Sequence, residues 1–416
     1  MRNERPLLFL LAFLKFTHIM DFMIMMPLGP QLMRVFGISP AEFGLLVSSY
    51  TVSAGIAGLF AALLLDRFDR KKALMVLFSG FTVGTLFCAI SPGYEMLLIS
   101  RIFTGAFGGI LAAQVLAIVG DVVPQERRGQ AMGIVMAAFS AASIFGVPFG
   151  LFLANHFGWQ SPFLFIGLAG IPLLLAIWKL APSMTAHMDR REGKYNPFEV
   201  FGAVAGSGNL QRAILLMGVL MLGQFTVITF ISPYMVGNVG FSEGQLALIY
   251  LIGGGITLFS SPAAGWLSDK FGKARVLSWI AVLSVVPLLL VTHLPASPLH
   301  VALLVTTLFF LLVSSRGIPT TALITSAAPP NLRAGFMSLV TAIQQLSSGI
   351  SAYIAGVIVV KTPSGALLHY DKVGYIAVAA TLLLIPLAYS IRPAVERARV
   401  MPDVQPEGEA LVAPVR

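Results

Sequence analysis

The feature that most constrains this chain is a succession of apolar runs, each about as long as a lipid hydrocarbon core is thick. A helix needs roughly 20 mostly apolar residues to cross that core, because lipid offers its backbone no hydrogen-bond partner. Twelve stretches of the 416 residues meet this requirement: 7–29, 42–64, 73–91, 95–119, 130–153 and 161–180, then 212–235, 244–267, 275–293, 299–325, 335–360 and 374–392. The longest polar interruption, 181–211, falls between the sixth and the seventh. The expected organisation is therefore an N-terminal bundle (1–180), a linker (181–211), a C-terminal bundle (212–392) and a tail (393–416). The fold class is an all-α membrane protein of twelve transmembrane helices in two pseudo-symmetric six-helix bundles.

Composition agrees. Residues are 57% hydrophobic and only 11% charged, against roughly a quarter charged in a soluble domain. The net charge of +9 would suggest nucleic acid in a soluble protein. Here the basic residues sit in short clusters between apolar runs, so the bilayer is the expected partner and nucleic acid is not. The opening segment has Arg2 and Arg5 ahead of an apolar stretch, as a signal peptide would, but runs on through Lys15, His18 and Asp21 without a small-residue cleavage site. It reads as a retained first span. A single cysteine, Cys88, excludes a disulfide framework and a thiolate metal cluster.

Orientation follows from the basic residues, which favour the cytoplasm when they lie in short loops. With the N-terminus inside, twenty-one Lys and Arg fall on the cytoplasmic side and only Arg34, Lys361 and Lys372 outside, with Lys15, Arg101 and Arg316 within spans. One miscounted helix would invert every later loop, so the asymmetry supports both count and direction. Both termini are expected in the cytoplasm, and the location is a cell membrane, the bacterial inner membrane in particular.

The two halves repeat each other. After the second span the chain reads Ala62-Leu-Leu-Leu-Asp66-Arg67-Phe68-Asp69-Arg70-Lys71-Lys72-Ala73-Leu74; after the eighth it reads Gly265-Trp-Leu-Ser-Asp269-Lys270-Phe271-Gly272-Lys273-Ala-Arg275-Val-Leu277. Asp66 aligns with Asp269, Arg67 with Lys270 and Arg70 with Lys273, at an offset of 203 residues. A second echo, Glu126-Arg127-Arg128 against Asn331-Leu332-Arg333, has offset 205. Repeated six-helix units are the arrangement in which a midplane site alternates between the two sides of a membrane.

On these residues the sequence resembles the major facilitator superfamily, since Gly265 to Leu277 fits its loop signature G-x-L-a-D-r-x-G-r-k-x-x-l at nearly every position. The first copy departs from it with Ala62 and Asp69 where glycine is usual. Arg101-Ile-Phe-Thr-Gly105 is similar to the fourth-span motif R-x-x-q-G. Gly146-Val-Pro148-Phe-Gly150, followed by Phe157-Gly158-Trp159, is similar to the twelve-span drug:proton antiporter and arabinose-efflux-permease-like branch. The resemblance implies that Asp66, Arg67, Arg70, Gly265, Asp269, Lys270, Gly272 and Lys273 form conformational latches; topological charge is the alternative. Gly146, Pro148 and Gly150 leave the fifth helix bare and bent for close helix packing.

Of the 18 acidic residues, Asp21 alone lies well inside a span. A charge in hydrocarbon is expensive unless it is paired, hydrated or neutralised. Lys15, His18 and Asp21 recur at i, i+3 and i+6, which puts a polar stripe on one side of the first helix. Asp21 sits about two thirds of the way out along the first helix and Arg101 about three quarters, a mismatch of about 4 Å at ~1.5 Å per residue. In the resembled fold the first and fourth helices both line the cavity, so an Asp21–Arg101 pair is expected, acting as a proton switch or standing as a static buried pair. His18 is either a proton relay or a hydrogen-bonded structural residue. Arg316 and Lys15 have no obvious acidic partner and are expected to face the substrate cavity, although snorkelling also accounts for Lys15. Gln224, Gln344 and Gln345 are polar contacts for substrate or for neighbouring helices. Three cations against one anion would disfavour permanently cationic solutes.

No phosphate-binding G-x-x-x-x-G-K-[ST] loop is present, which excludes ATP-driven pumping by that device. The six histidines are dispersed and no H-E-x-x-H occurs, so no catalytic residues, metal site or cofactor are expected and an intramembrane enzyme is disfavoured. The expected function is secondary active export of a small organic or amphiphilic solute in exchange for protons, by a monomer. A facilitator, a proton-coupled uptake carrier and a lysolipid exporter are the alternatives.

Overall fold

The computed structural model describes residues 4–64, 68–185 and 198–394. The first half comprises α1 (Glu4–Ile24), a short α2 (Gly29–Val35), α3 (Pro40–Leu64), α4 (Arg70–Ala89), α5 (Tyr94–Val122), α6 (Arg128–Ala141), α7 (Val147–Phe157) and α8 (Ser161–Leu180). After α9 (Phe198–Gly206), which falls inside the expected linker, come α10 (Gly208–Tyr234), α11 (Leu246–Phe271), α12 (Lys273–Thr292), α13 (Leu299–Ser315), α14 (Gly317–Ala327), α15 (Arg333–Ile358) and α16 (Tyr370–Ser390). A two-stranded antiparallel hairpin, β1 (Val360–Lys361) and β2 (Leu367–Leu368), joins the last two helices.

Among the described residues, eleven spans are long and apolar enough to cross a membrane. Twelve were expected, and the one that falls short is the stretch at 335–360. It is a 26-residue helix, α15, but Thr341, Gln344, Gln345, Ser347, Ser348 and Ser351 dilute its apolar run. Its small residues face α3: a Cβ on Gly44 would lie 2.8 Å from Ala352 O and 3.1 Å from Gly356 Cα, so the two backbones nearly touch.

Three expected helices are interrupted where proline removes a backbone donor. The first span ends at Ile24, ahead of Pro27, rather than at 29. In the fifth, Pro148 has no N–H for Ile144 O, and residues Ala142–Gly146 form a π turn. In the tenth, Pro319 leaves Ser315 O without its helical donor, and the span divides at Arg316.

Beside a small cluster of Ala264, Val276 and Ile280, the core has three large parts that follow from the two-bundle plan. At the end of the bundle away from α1's start, apolar side chains of both halves merge into one cluster, including Phe43, Leu151, Trp159, Phe230, Tyr250, Phe309 and Val359. Toward the opposite end the halves have separate cores, one built around Leu11, Phe78, Val115 and Ile177 and the other around Leu216, Leu277, Phe336 and Leu384. The halves are therefore fused at the far end and part toward the end that carries α1's start and α16's finish. Arg34 and Glu243 form an ion pair across the fused end, with a second contact from Nη2 to Oε2 at 3.3 Å.

The repeat is visible in detail. Arg128 Nη2 donates to Val123 O and Arg333 Nη2 to Ala328 O, each at 3.5 Å and each five residues back. Both guanidiniums meet carbonyls at the C-terminal end of the preceding helix, where partial negative charge gathers.

Candidate functional site

Asp21 and Arg101 lie together between α1 and α5. Arg101 Nη1 donates to Asp21 Oδ2 at 2.7 Å, Thr85 Oγ1 on α4 donates to Asp21 Oδ1 at 3.2 Å, and both charged side chains are almost wholly buried. Similar depth on neighbouring helices made this contact possible, and bare glycine faces let α3, α4 and α5 approach one another closely around it. There, Gly105 lies against the backbone of Tyr50, a Cβ on Gly109 would sit 2.6 Å from Ala54, and a Cβ on Gly84 would overlap Thr104.

Tyr50, a residue the sequence did not single out, completes the cluster. Its ring covers the Arg101 guanidinium with the centroid 4.3 Å from Cζ, and Phe163 flanks the same group at 5.9 Å. Such cation–π contact stabilises a desolvated guanidinium. His18 is buried one helical turn from Asp21, with its ring 6.3 Å from that of Tyr50 and 5.9 Å from Phe81. Gly108 lets both side chains pack against the α5 backbone: a Cβ there would overlap the Tyr50 hydroxyl and lie 3.2 Å from His18 Nε2. Both ring nitrogens of His18, the Tyr50 hydroxyl and Arg101 Nε are buried without a hydrogen-bond partner among the described residues. Buried polar atoms are rarely left so, and four of them cluster beside the ion pair.

Lys15 is half-buried on α1, two turns from Asp21, and makes no ion pair among the described residues. Gln224, Gln344 and Gln345 are half-buried. Arg316 is wholly buried at the junction of α13 and α14, so in this conformation it does not open onto solvent. Its Nε donates to Val313 O at 3.2 Å, Nη1 to Thr381 Oγ1 at 2.5 Å and Nη2 to Gly223 O at 3.5 Å. All of these acceptors are neutral.

Of the expected latch residues, Asp66 and Arg67 lie outside the described residues. Arg70 is buried and donates from Nε to Asp121 Oδ2 at 3.0 Å and from Nη1 to Gln114 Oε1 at 3.4 Å, tying α4 to α5. In the second copy, Lys273 Nζ reaches Ala322 O at 3.4 Å on α14, whereas Asp269 is exposed and Lys270 lies over the rings of Trp266 and Phe271. Gly272 links α11 to α12 at φ +93°, a conformation that disfavours any side chain. At the matching place in the first half, Asp69 takes φ −53° and instead caps α4. It accepts from Lys71 N–H at 2.9 Å, Ser183 Oγ at 2.6 Å and Met184 N–H at 3.0 Å. Burial alone would raise the Asp69 pKa, but these three bonds outweigh it and hold the carboxyl below its ordinary value. The sequence departure at Asp69 is thus a change of device, from a left-handed glycine to a side-chain cap.

In the fifth span, a Cβ on Gly150 would come within 2.7 Å of Ile24, and one on Gly146 within 3.3 Å of Met20 and Phe16, so both glycines admit α1. Among the described residues no three His, Cys, Asp or Glu side chains gather as metal ligands.

The sequence profile of the Major Facilitator Superfamily matches residues 11–352, and again 213–414. The chain belongs to that superfamily: it is a multi-pass membrane transporter. It is 25% identical over 355 residues to the uncharacterized MFS-type transporter YbcL of Bacillus subtilis (strain 168), covering 85% of this chain and 89% of that one. With YwfA of the same organism it shares 27% identity over 319 residues, or 74% of each. Among solved structures it resembles a D-xylose–proton symporter, with a TM-score of 0.77 at 17% identity over 94% of this chain and 98% of that one. It also resembles a bacterial homolog of the lysosomal transporter Spinster in an inward-facing, unoccupied conformation, with a TM-score of 0.73 at 18% identity over 92% and 95%.

Proposed function

We propose that this transporter exports a small organic or amphiphilic solute in exchange for protons, by alternating access, in the manner of the drug:proton antiporter and arabinose-efflux-permease-like branch. The observation that carries the reading is the buried Asp21–Arg101 pair. A carboxylate can take up a proton whereas a guanidinium cannot give one up, so protonation of Asp21 breaks the pair and frees Arg101. Separating two charges in a medium of low dielectric is unfavourable, which ties release of the proton to any conformation that re-forms the contact. His18, with the Tyr50 hydroxyl close by across Gly108, gives the proton a polar route along α1, with Lys15 further toward the divided end.

The fused far end and the divided near end correspond to a carrier closed on one side. With both termini in the cytoplasm, as the distribution of basic residues supports, this is an inward-facing state in a bacterial inner membrane. Arg70 with Asp121, and Lys273 with Ala322 O, then act as latches within each half, alongside Asp66 and Arg67 in the first loop and Gly265, Asp269, Lys270 and Gly272 in the second. The protein works as a monomer.

The test is solute-driven proton movement in proteoliposomes containing a trapped pH-sensitive dye. Wild type is expected to move protons opposite to solute, and Asp21→Asn to lose that movement. Proton movement retained by Asp21→Asn would overturn the reading.

A further inference from the structure

The two halves treat their buried arginines differently. In the first, Arg101 meets a carboxylate on α1. The half-repeat, with offsets of 203 and 205, carries Asp21 onto Gln224, Phe225 or Thr226 of α10, none of them acidic. Yet a buried guanidinium arrives at this same place: Arg316 Nη2 contacts Gly223 O, one residue before Gln224. Three neutral acceptors engage some of its donors and leave its charge uncancelled. Removing an ion from water without a counter-ion costs several kcal/mol, and among the described residues the C-terminal half holds this cation without an anion.

Two further observations describe what would complete it. Arg316 stands at the broken tenth span, where the 11-residue α14 begins. α13 ends on the same residue, so the partial negative charge of its last carbonyls meets the partial positive charge of α14's first N–H groups there, and the Arg316 guanidinium is the charge left to attract an anionic group. Phe225, within the segment that the repeat sets opposite Asp21, faces Phe22, the residue after Asp21, with ring centroids 6.2 Å apart. Phe22 in turn lies 5.6 Å from Tyr50. An aromatic bridge therefore spans the two halves between the neutralised Arg101 and the uncompensated Arg316.

We infer that the transported solute is an amphiphilic organic monoanion, its carboxylate, sulfonate or phosphoester head held by Arg316 and Thr381 and its apolar body against Phe22 and Phe225. The inference deepens the proposed transport function and rests on it for the word transported; the binding site itself does not depend on proton coupling. Arg316 is closed in this conformation, so the anion enters as α10 and α14 move apart.

The test uses detergent-purified protein at one pH without a gradient, titrated with 2-naphthoate, its neutral isostere 2-naphthamide and the cation 2-naphthylmethylammonium, following the thermal unfolding midpoint, since a ligand of the folded state raises it by mass action. Charge-assisted hydrogen bonds predict that naphthoate binds about tenfold or more tighter than the amide. Arg316→Gln should erase that preference, and Arg316→Lys should keep part of it. Equal binding of acid and amide, no binding of naphthoate, or an undiminished preference in Arg316→Gln would each overturn the inference. If Arg316→Gln does not fold, the wild-type comparison and Arg316→Lys decide. Because binding is read at one pH without a gradient and with Asp21 intact, loss of proton coupling and loss of anion binding are separate failures.

Discussion

Arg101 Nη1 donates to Asp21 Oδ2 over 2.7 Å, joining helices 80 residues apart in the chain, and neither side chain reaches solvent. The two partners are not equivalent when one is removed. Asp21→Asn strands a guanidinium that cannot discharge, and a loss of about 3–5 kcal/mol is expected for an orphaned buried charge. Arg101→Leu strands a carboxyl that can protonate, so its loss should be smaller and should shrink further in acid. Thermal unfolding of both variants across pH checks this asymmetry, and the double variant should recover most of the stability without recovering proton-coupled transport.

Asp69 lies outside the spans and caps α4 as a carboxylate. Its pKa is lowered from 3.8 on folding. The stabilisation is therefore fully present above 3.8 and is lost as pH falls through the lower native value. Asp69→Ala should reduce stability by about 1 kcal/mol near neutrality. The gap from wild type should close on acidification below pH 3.8, as measured by unfolding midpoints at matched salt.

The two glycines of the second loop motif should behave differently. A Cβ on Gly265 would meet only Ile318, at an ordinary 3.7 Å, whereas Gly272 holds φ +93°. Gly265→Ala is expected to be nearly neutral for stability. Gly272→Ala should lose about 1 kcal/mol or more through backbone strain, read as a lower unfolding midpoint.

Arg34 and Glu243 join the halves at the fused end. As an exposed pair they contribute about 0–1 kcal/mol, so Glu243→Gln should leave stability almost unchanged. Cysteines at both positions, joined by a short reducible cross-linker, are expected to stop transport, and reduction should restore it. Undiminished transport by the cross-linked protein would mean that the far end need not open.

What the sequence made legible was depth, and what it hid was rotation. Apolar run length set the height of each residue in the membrane, which was enough to match Asp21 with Arg101 and to assign Arg316 to mid-span. Which way a side chain points around its helix depends on neighbours from other spans. For that reason Tyr50 over Arg101, Thr85 on Asp21, Asp121 on Arg70 and Phe22 against Phe225 were not foreseen. Pro148 and Pro319 were visible as residues, but their effect, a π turn and a break at Arg316, depends on which carbonyl each leaves without a donor.

Proton coupling requires that Asp21 change protonation as its contact with Arg101 breaks and re-forms. Infrared difference spectroscopy of the reconstituted protein across an acid step measures this directly through the carbonyl stretch of a protonated carboxyl. Wild type is expected to show a protonation band that is missing in Asp21→Asn. A wild type that exchanges solute for protons while giving the same carboxyl difference spectrum as Asp21→Asn would contradict this expectation.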